Sequence, residues 1–130
     1  MSFEAKSHVL VVEPDWSVCM NVIQALHHLG HIAIVESTET AFQDASRPME
    51  IDLVMLGLGH DNAENMRRLA HARQQFQGST IASLCPHMRS RDRCDLLNAG
   101  LDFILEKPMS VDECASTIRA ILRRRDMNLN

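Results

Sequence analysis

The sequence predicts an α/β domain of the doubly wound class: a five-stranded parallel sheet in the order 2-1-3-4-5, with helices on both faces. Three observations predict it. Short apolar runs alternate with amphipathic helical stripes along the chain. The runs lack the apolar–polar alternation of a half-wet sheet, so their strands are expected to be buried on both sides. Repeated strand–helix units connect through right-handed crossovers, which yields a parallel sheet covered on both faces.

The first strand is predicted at His8–Glu13 (HVLVVE), a β-branched run at the centre of the sheet. Val18, Val22, Ala25 and Leu29 then line one face of a helix that Gly30 ends. His31–Val35 is the second strand. Ser37 or Thr38 caps a short second helix, with Glu39 near its positive end, and this helix stops before Pro48. Ile51–Leu56 (IDLVML) is the third strand, and Met66, Leu69, Ala72 and Phe76 mark the helix that follows. Beyond Gly78, Ser79–Cys85 (STIASLC) forms the fourth strand. A fourth helix spans about Ser90–Ala99 and closes on Gly100, where a left-handed residue is needed. Leu101–Glu106 is the fifth strand. Ser110 and Glu113 form a capping box at the start of the last helix, whose stripe is Val111, Cys114, Ala115, Ile118 and Leu122, with Arg123, Arg124 and Arg125 in its final turn.

The 130 residues make one domain, with a core over about 8–125, and a hydrophobic fraction of 45% suffices to build it. A net charge of -4 argues against direct binding to nucleic acid or to an anionic membrane surface. No run of about 20 apolar residues is present, and Met1–Ser7 lacks the layout of a signal peptide. Cys19, Cys85, Cys94 and Cys114 are widely spaced without a CxxC pair, which fits reduced thiols in a cytoplasm.

In a doubly wound sheet the functional site lies beyond the carboxyl ends of the strands at the switch point, here past Glu13 and Leu56. The residues at those places carry a resemblance. VVEPD at the end of strand one, DLVML in strand three, NAGLDFILEKP into strand five and the serine-capped last helix are similar to the receiver domain of two-component response regulators, over about His8–Arg125. The resemblance implies the flavodoxin-like receiver fold and a cis peptide at Lys107-Pro108. It also implies a pocket in which an aspartate ending strand three accepts a phosphoryl group, an acidic pair ending strand one holds magnesium, and a lysine before a proline contacts the phosphoryl oxygens.

That pocket is degenerate here. Gly57 stands at the acceptor position and has no side chain to carry an acyl phosphate. The acidic pair is reduced to Glu13-Pro14, with Asp15 able to reach only part of the way, so no bound metal is expected. Cys85 replaces the hydroxyl residue after strand four, and Ile104 replaces the aromatic switch residue. Lys107 is retained and is expected to pair with Glu13, tying strands one and five together. After strand three, Asp61 and Asn65 stand where the family has proline and glycine, and Asn65 is expected to tolerate a left-handed backbone there.

The resulting reading is a pseudo-receiver: a non-enzymatic, phosphorylation-independent binding module with no cofactor. Resemblance places its interaction surface on the face of the fourth helix, fifth strand and last helix, with Cys94, Leu97, Asp102, Ile104, Glu106 and Arg119. The partner is another protein or a second copy of the chain in a two-fold dimer. One alternative is the receiver half of a longer transcription regulator. Another is a small-molecule or redox sensor using the vacated pocket, with Cys85 as a thiol activated by Lys107. Gly57-Leu58-Gly59 weakly matches a phosphate cradle but lacks the third glycine, where Asn62 stands. His60, His71 and His87 show no metal-site spacing and are read as surface residues. The three arginines near the chain end are read as cations favoured by the helix dipole.

Overall fold

The structure is a computed structural model and describes residues 7–36 and 50–129. Five parallel strands, β1 (His8–Val12), β2 (Ile32–Glu36), β3 (Leu53–Gly57), β4 (Thr80–Cys85) and β5 (Phe103–Glu106), form one sheet in the order β2-β1-β3-β4-β5. Among the described residues, α1 (Trp16–Leu29), α2 (Asn62–Gln75) and α3 (Ser90–Asn98) connect strands, and α4 (Val111–Leu129) follows β5. The expected helix beginning at Ser37 or Thr38, with Glu39 in its first turn, lies outside the described residues.

Successive residues of a strand point to opposite faces, and here both faces are buried. Val9, Val11, Leu53, Met55, Ala82 and Leu84 pack under α1 and α4, against Val22, Leu26, Cys114 and Ile118. Leu10, Val12, Val54, Leu56 and Ile81 pack under α2 and α3, against Leu69, Ala72 and Leu96. This explains the near-continuous apolar strands of the sequence.

Helix starts and stops follow local chemistry. Asp15 caps α1 by accepting from the Ser17 N–H, Asp61 caps α2 by accepting from the Glu64 N–H, and Ser110 Oγ accepts from the Glu113 N–H at the start of α4. Gly30 and Gly100, at φ of 78° and 113°, take the conformations that end α1 and follow α3. The Lys107–Pro108 peptide is cis, as expected from the resemblance.

Three local expectations are corrected. No non-glycine residue has a positive φ among the described residues, and Asn65 lies within α2, so it serves the turn by another route. The last helix runs on to Leu129, so Arg123–Arg125 precede its final turn and the dipole does not account for them. Instead Arg124 lies 5.9 Å from the Phe103 ring centre, and Arg125 donates to the Gly78 carbonyl and pairs with Asp52. Third, β3 and β5 start later than expected because an aspartate precedes each one.

Those aspartates do similar work at the amino ends of the strands. Asp52 accepts from the His8 N–H at 2.8 Å, and Asp102 accepts from the Ile81 N–H at 2.8 Å. Each also meets an arginine: Arg125 Nε lies 3.7 Å from Asp52, and Arg73 lies 3.0 Å from Asp102 while donating to the Ser79 and Gly100 carbonyls. Asp102 is therefore engaged within the fold while its side chain stays 43% exposed, on the expected interaction surface. Asp102→Ala should cost about 1–3 kcal/mol in urea unfolding, because the Ile81 N–H and the Arg73 guanidinium lose an acceptor; a change within error would show that the aspartate is not needed there.

Candidate functional site

The carboxyl ends of β1, β3 and β5 bring Glu13, Gly57 and Lys107 together. Strand one delivers Glu13 into the interior: it is 3% exposed, one of few polar residues in the core. Its Oε1 accepts from the Asp15 N–H at 3.0 Å, and its Oε2 lies 3.0 Å from Lys107 Nζ. The ion pair expected across strands one and five is thus present. At Oε2 the ammonium meets the distance but not the angles of a hydrogen bond, so this oxygen is held by charge alone.

The carboxylate has come to rest over position 57. A Cβ built on Gly57 would fall inside contact distance of Glu13 Oε2, 2.8 Å from its Cδ and 3.1 Å from the Val12 carbonyl oxygen. The space beside β3 is therefore filled by the longer side chain of β1. This corrects the sensor alternative in its premise, because the pocket is not vacated. An open cleft of about 310 Å³ lies nearby instead, lined by Gly59, His60, Asn65, His87 and Asp92 among others, and none of Glu13, Gly57 and Lys107 forms its wall.

The other expected pocket residues are dispersed. Pro14 and Asp15 are exposed, and the Asp15 carboxylate accepts from the Ser17 hydroxyl and N–H, which hold its pKa below the usual carboxylate value. Magnesium fits this set poorly. Position 57 offers no oxygen from a side chain, Asp15 is committed to capping α1, and Glu13 already faces an ammonium.

Cys85 is fully buried; its Sγ contacts the Leu105 carbonyl at 3.7 Å and lies 3.6 Å from the Ser83 hydroxyl. Burial pushes its thiol above the ordinary value, outweighing the favourable effect of Lys107, so the activated thiol of the redox alternative is not found. Ile104 is half-buried against the core under α2 and α3.

The connection after β3 is held by a residue whose role the sequence did not reveal. Asn65 is 3% exposed; its Oδ1 accepts from the Gly59 N–H at 3.0 Å and its Nδ2 donates to the Gly59 carbonyl at 2.9 Å. This two-point clamp consumes the backbone donor that a phosphate cradle would need, as does the Leu58 N–H bond to Leu84. Arg68 of α2 also donates to the Gly57 carbonyl. On the expected surface, Cys94, Leu97, Asp102, Glu106 and Arg119 are exposed, Leu97 to 45%, and Glu106 pairs with His87 at 2.9 Å.

No family model matches the chain. Among characterised proteins, it is 28% identical over 116 residues to the transcriptional regulatory protein BasR of Escherichia coli (strain K12), covering 89% of this chain and 52% of that protein. It is 25% identical over 122 residues to the transcriptional regulatory protein PmrA of Pectobacterium parmentieri, covering 94% of this chain and 55% of the relative. The chain spans about half the length of the curated relatives it matches. A response regulator from Thermotoga maritima superposes with a TM-score of 0.81 at 21% identity, over 92% of this chain and 99% of that one. The chain thus has the CheY-like receiver fold and resembles the receiver domains of response regulators.

Burial raises the Cys19, Cys85 and Cys114 thiols, Cys114 to about 11 against an ordinary value of 9.0, whereas Cys94 is exposed. The stabilising contribution of the Cys114 thiol is present in full below pH 9 and is lost as pH rises towards about 11, because only the unfolded chain ionises easily in that window. A colorimetric thiol reagent at pH 8 should therefore label Cys94 alone in the folded chain and all four cysteines in denaturant; fast labelling of Cys85 in the folded chain would contradict this.

Proposed function

We propose that this chain is a pseudo-receiver: a receiver fold retained as a protein-interaction module that works without phosphorylation and carries out no catalysis of its own. The observation that carries the reading is Gly57 at the end of β3, where the Glu13 carboxylate already occupies the space of an acceptor side chain. Acyl phosphate formation needs a carboxylate able to attack phosphorus, and the carboxylate in this pocket is buried and paired with Lys107. Incubation with acetyl phosphate and magnesium should give no gain in intact mass, and beryllofluoride should leave the amide spectrum unchanged. A stoichiometric phosphoryl adduct mapped to the pocket would overturn the reading.

The surface proposed for the partner is the face of α3, β5 and α4, with Cys94, Leu97, Asp102, Ile104, Glu106 and Arg119. Leu97 is the exposed apolar residue there, flanked by charged groups, a composition that suits a polar-rimmed protein contact more than a lipid surface. Among the described residues no helix is long and apolar enough to cross a membrane, and we place the domain in the cytoplasm. A second reading, the receiver half of a longer transcription regulator, is favoured by the length of the relatives, which are named as transcriptional regulators and are about twice as long. In both readings the partner is protein. Leu97→Glu should weaken self-association at least tenfold in sedimentation-equilibrium ultracentrifugation if the partner is a second copy, since losing an apolar anchor at an interface centre costs about 2 kcal/mol or more and each ~1.4 kcal/mol is tenfold; an unchanged dimer would move the interface elsewhere.

A further inference from the structure

We infer that Glu13 and Gly57 form a single exchange: the carboxylate of β1 serves as an internal ligand for Lys107 in the place of an acceptor side chain, and Gly57 is required because that carboxylate is there. The inference rests on reading the pocket as one without an acceptor, and it deepens that reading by naming what fills the space.

Three observations converge. A methyl group at position 57 would collide with Oε2 and lie 2.8 Å from Cδ of Glu13. An exposed glutamate could swing aside, since its carboxylate is the far end of a flexible side chain. Glu13 is restrained: its side chain is 1% exposed, its Oε1 holds the Asp15 N–H, and its Oε2 faces Lys107. Moving it would strand a buried charge and release the ammonium, so the clash cannot be relieved cheaply. The backbone offers no relief either, because the Val12 carbonyl oxygen is 3.1 Å away and β1 and β3 are register neighbours at Val12 and Leu56.

The pair also acts at a distance from Gly57. Lys107 directly follows β5, and its N–H donates to the Cys85 carbonyl at 2.7 Å, so the ion pair joins β1 to the β4–β5 edge and to the connection leading into α4. A permanently supplied internal anion would keep that edge in one arrangement, independent of phosphodonor or magnesium.

A thermal-unfolding cycle tests the coupling. Gly57→Ala in the otherwise unaltered chain should lower Tm by about 5 °C or more, whereas the same change in the Glu13→Ala background should lower it by no more than about 1 °C. Equal losses in the two backgrounds, or a neutral Gly57→Ala in the unaltered chain, would overturn the inference. The combined variant Glu13→Ala with Gly57→Asp moves the carboxylate from β1 to β3 and covers the case in which Glu13→Ala does not fold. It should recover folding and most of the lost Tm, and failure to recover either would also count against the inference. Phosphorylation of the unaltered chain would sink the functional reading while leaving this coupling measurable, and additive losses would do the reverse.

Discussion

A carboxylate taken out of water is costly unless a cation and hydrogen-bond donors replace its hydration. At the carboxyl end of this sheet, Glu13 receives one N–H from Asp15 and the ammonium of Lys107, and in return it fixes where both of them lie. The consequences spread outward from that pair. Position 57 must be small, Asp15 is left to cap α1, and the residue after β5 is drawn back over β1. With the burial of Glu13 nearly complete, the pair is shielded from the screening that makes surface ion pairs weak.

The two ends of the sheet use charge differently. At the amino ends, Asp52 satisfies the first N–H of β1 and Asp102 the second N–H of β4, and each meets an arginine, in positions partly open to solvent. Such groups define where strands begin, and their arginines also join α2 and α4 to the sheet edge. At the carboxyl ends a single pair is buried, and the surrounding groups are apolar or committed: Cys85 is in the core, and the Leu58 and Gly59 N–H groups are already bonded. An end of the sheet normally suited to ligands is instead closed by the chain's own side chain.

Several residues act through distant partners that their local neighbours do not reveal. Asn65 was assigned to a left-handed turn, but it is helical and clamps Gly59 with its side chain. Arg125 was assigned to the helix dipole, but it reaches Gly78, 47 residues away in sequence. Asp102 is exposed as expected, yet it also spans to Arg73 and Ile81, which its local neighbours do not show. For Cys85 the activated thiol beside Lys107 is only an alternative reading, and desolvation outweighs the cation. Period, cap chemistry and apolar stripe act within a few residues and are therefore legible in sequence. Side-chain bonds across tens of residues are not.

From the sequence alone came the alternation of strands and helices, the burial of both sheet faces, the helix ends at Gly30, Gly100 and Ser110, and the absence of a side chain at Gly57. These follow from residue type and spacing, which need no coordinates. The pairing of Glu13 with Lys107 could be expected only once strands one and five were supposed to converge. What the tertiary structure decided was where the Glu13 carboxylate ends up. A glutamate is one methylene longer than an aspartate, and only the parallel packing of β1 beside β3 brings that extra length over the bare Cα of Gly57.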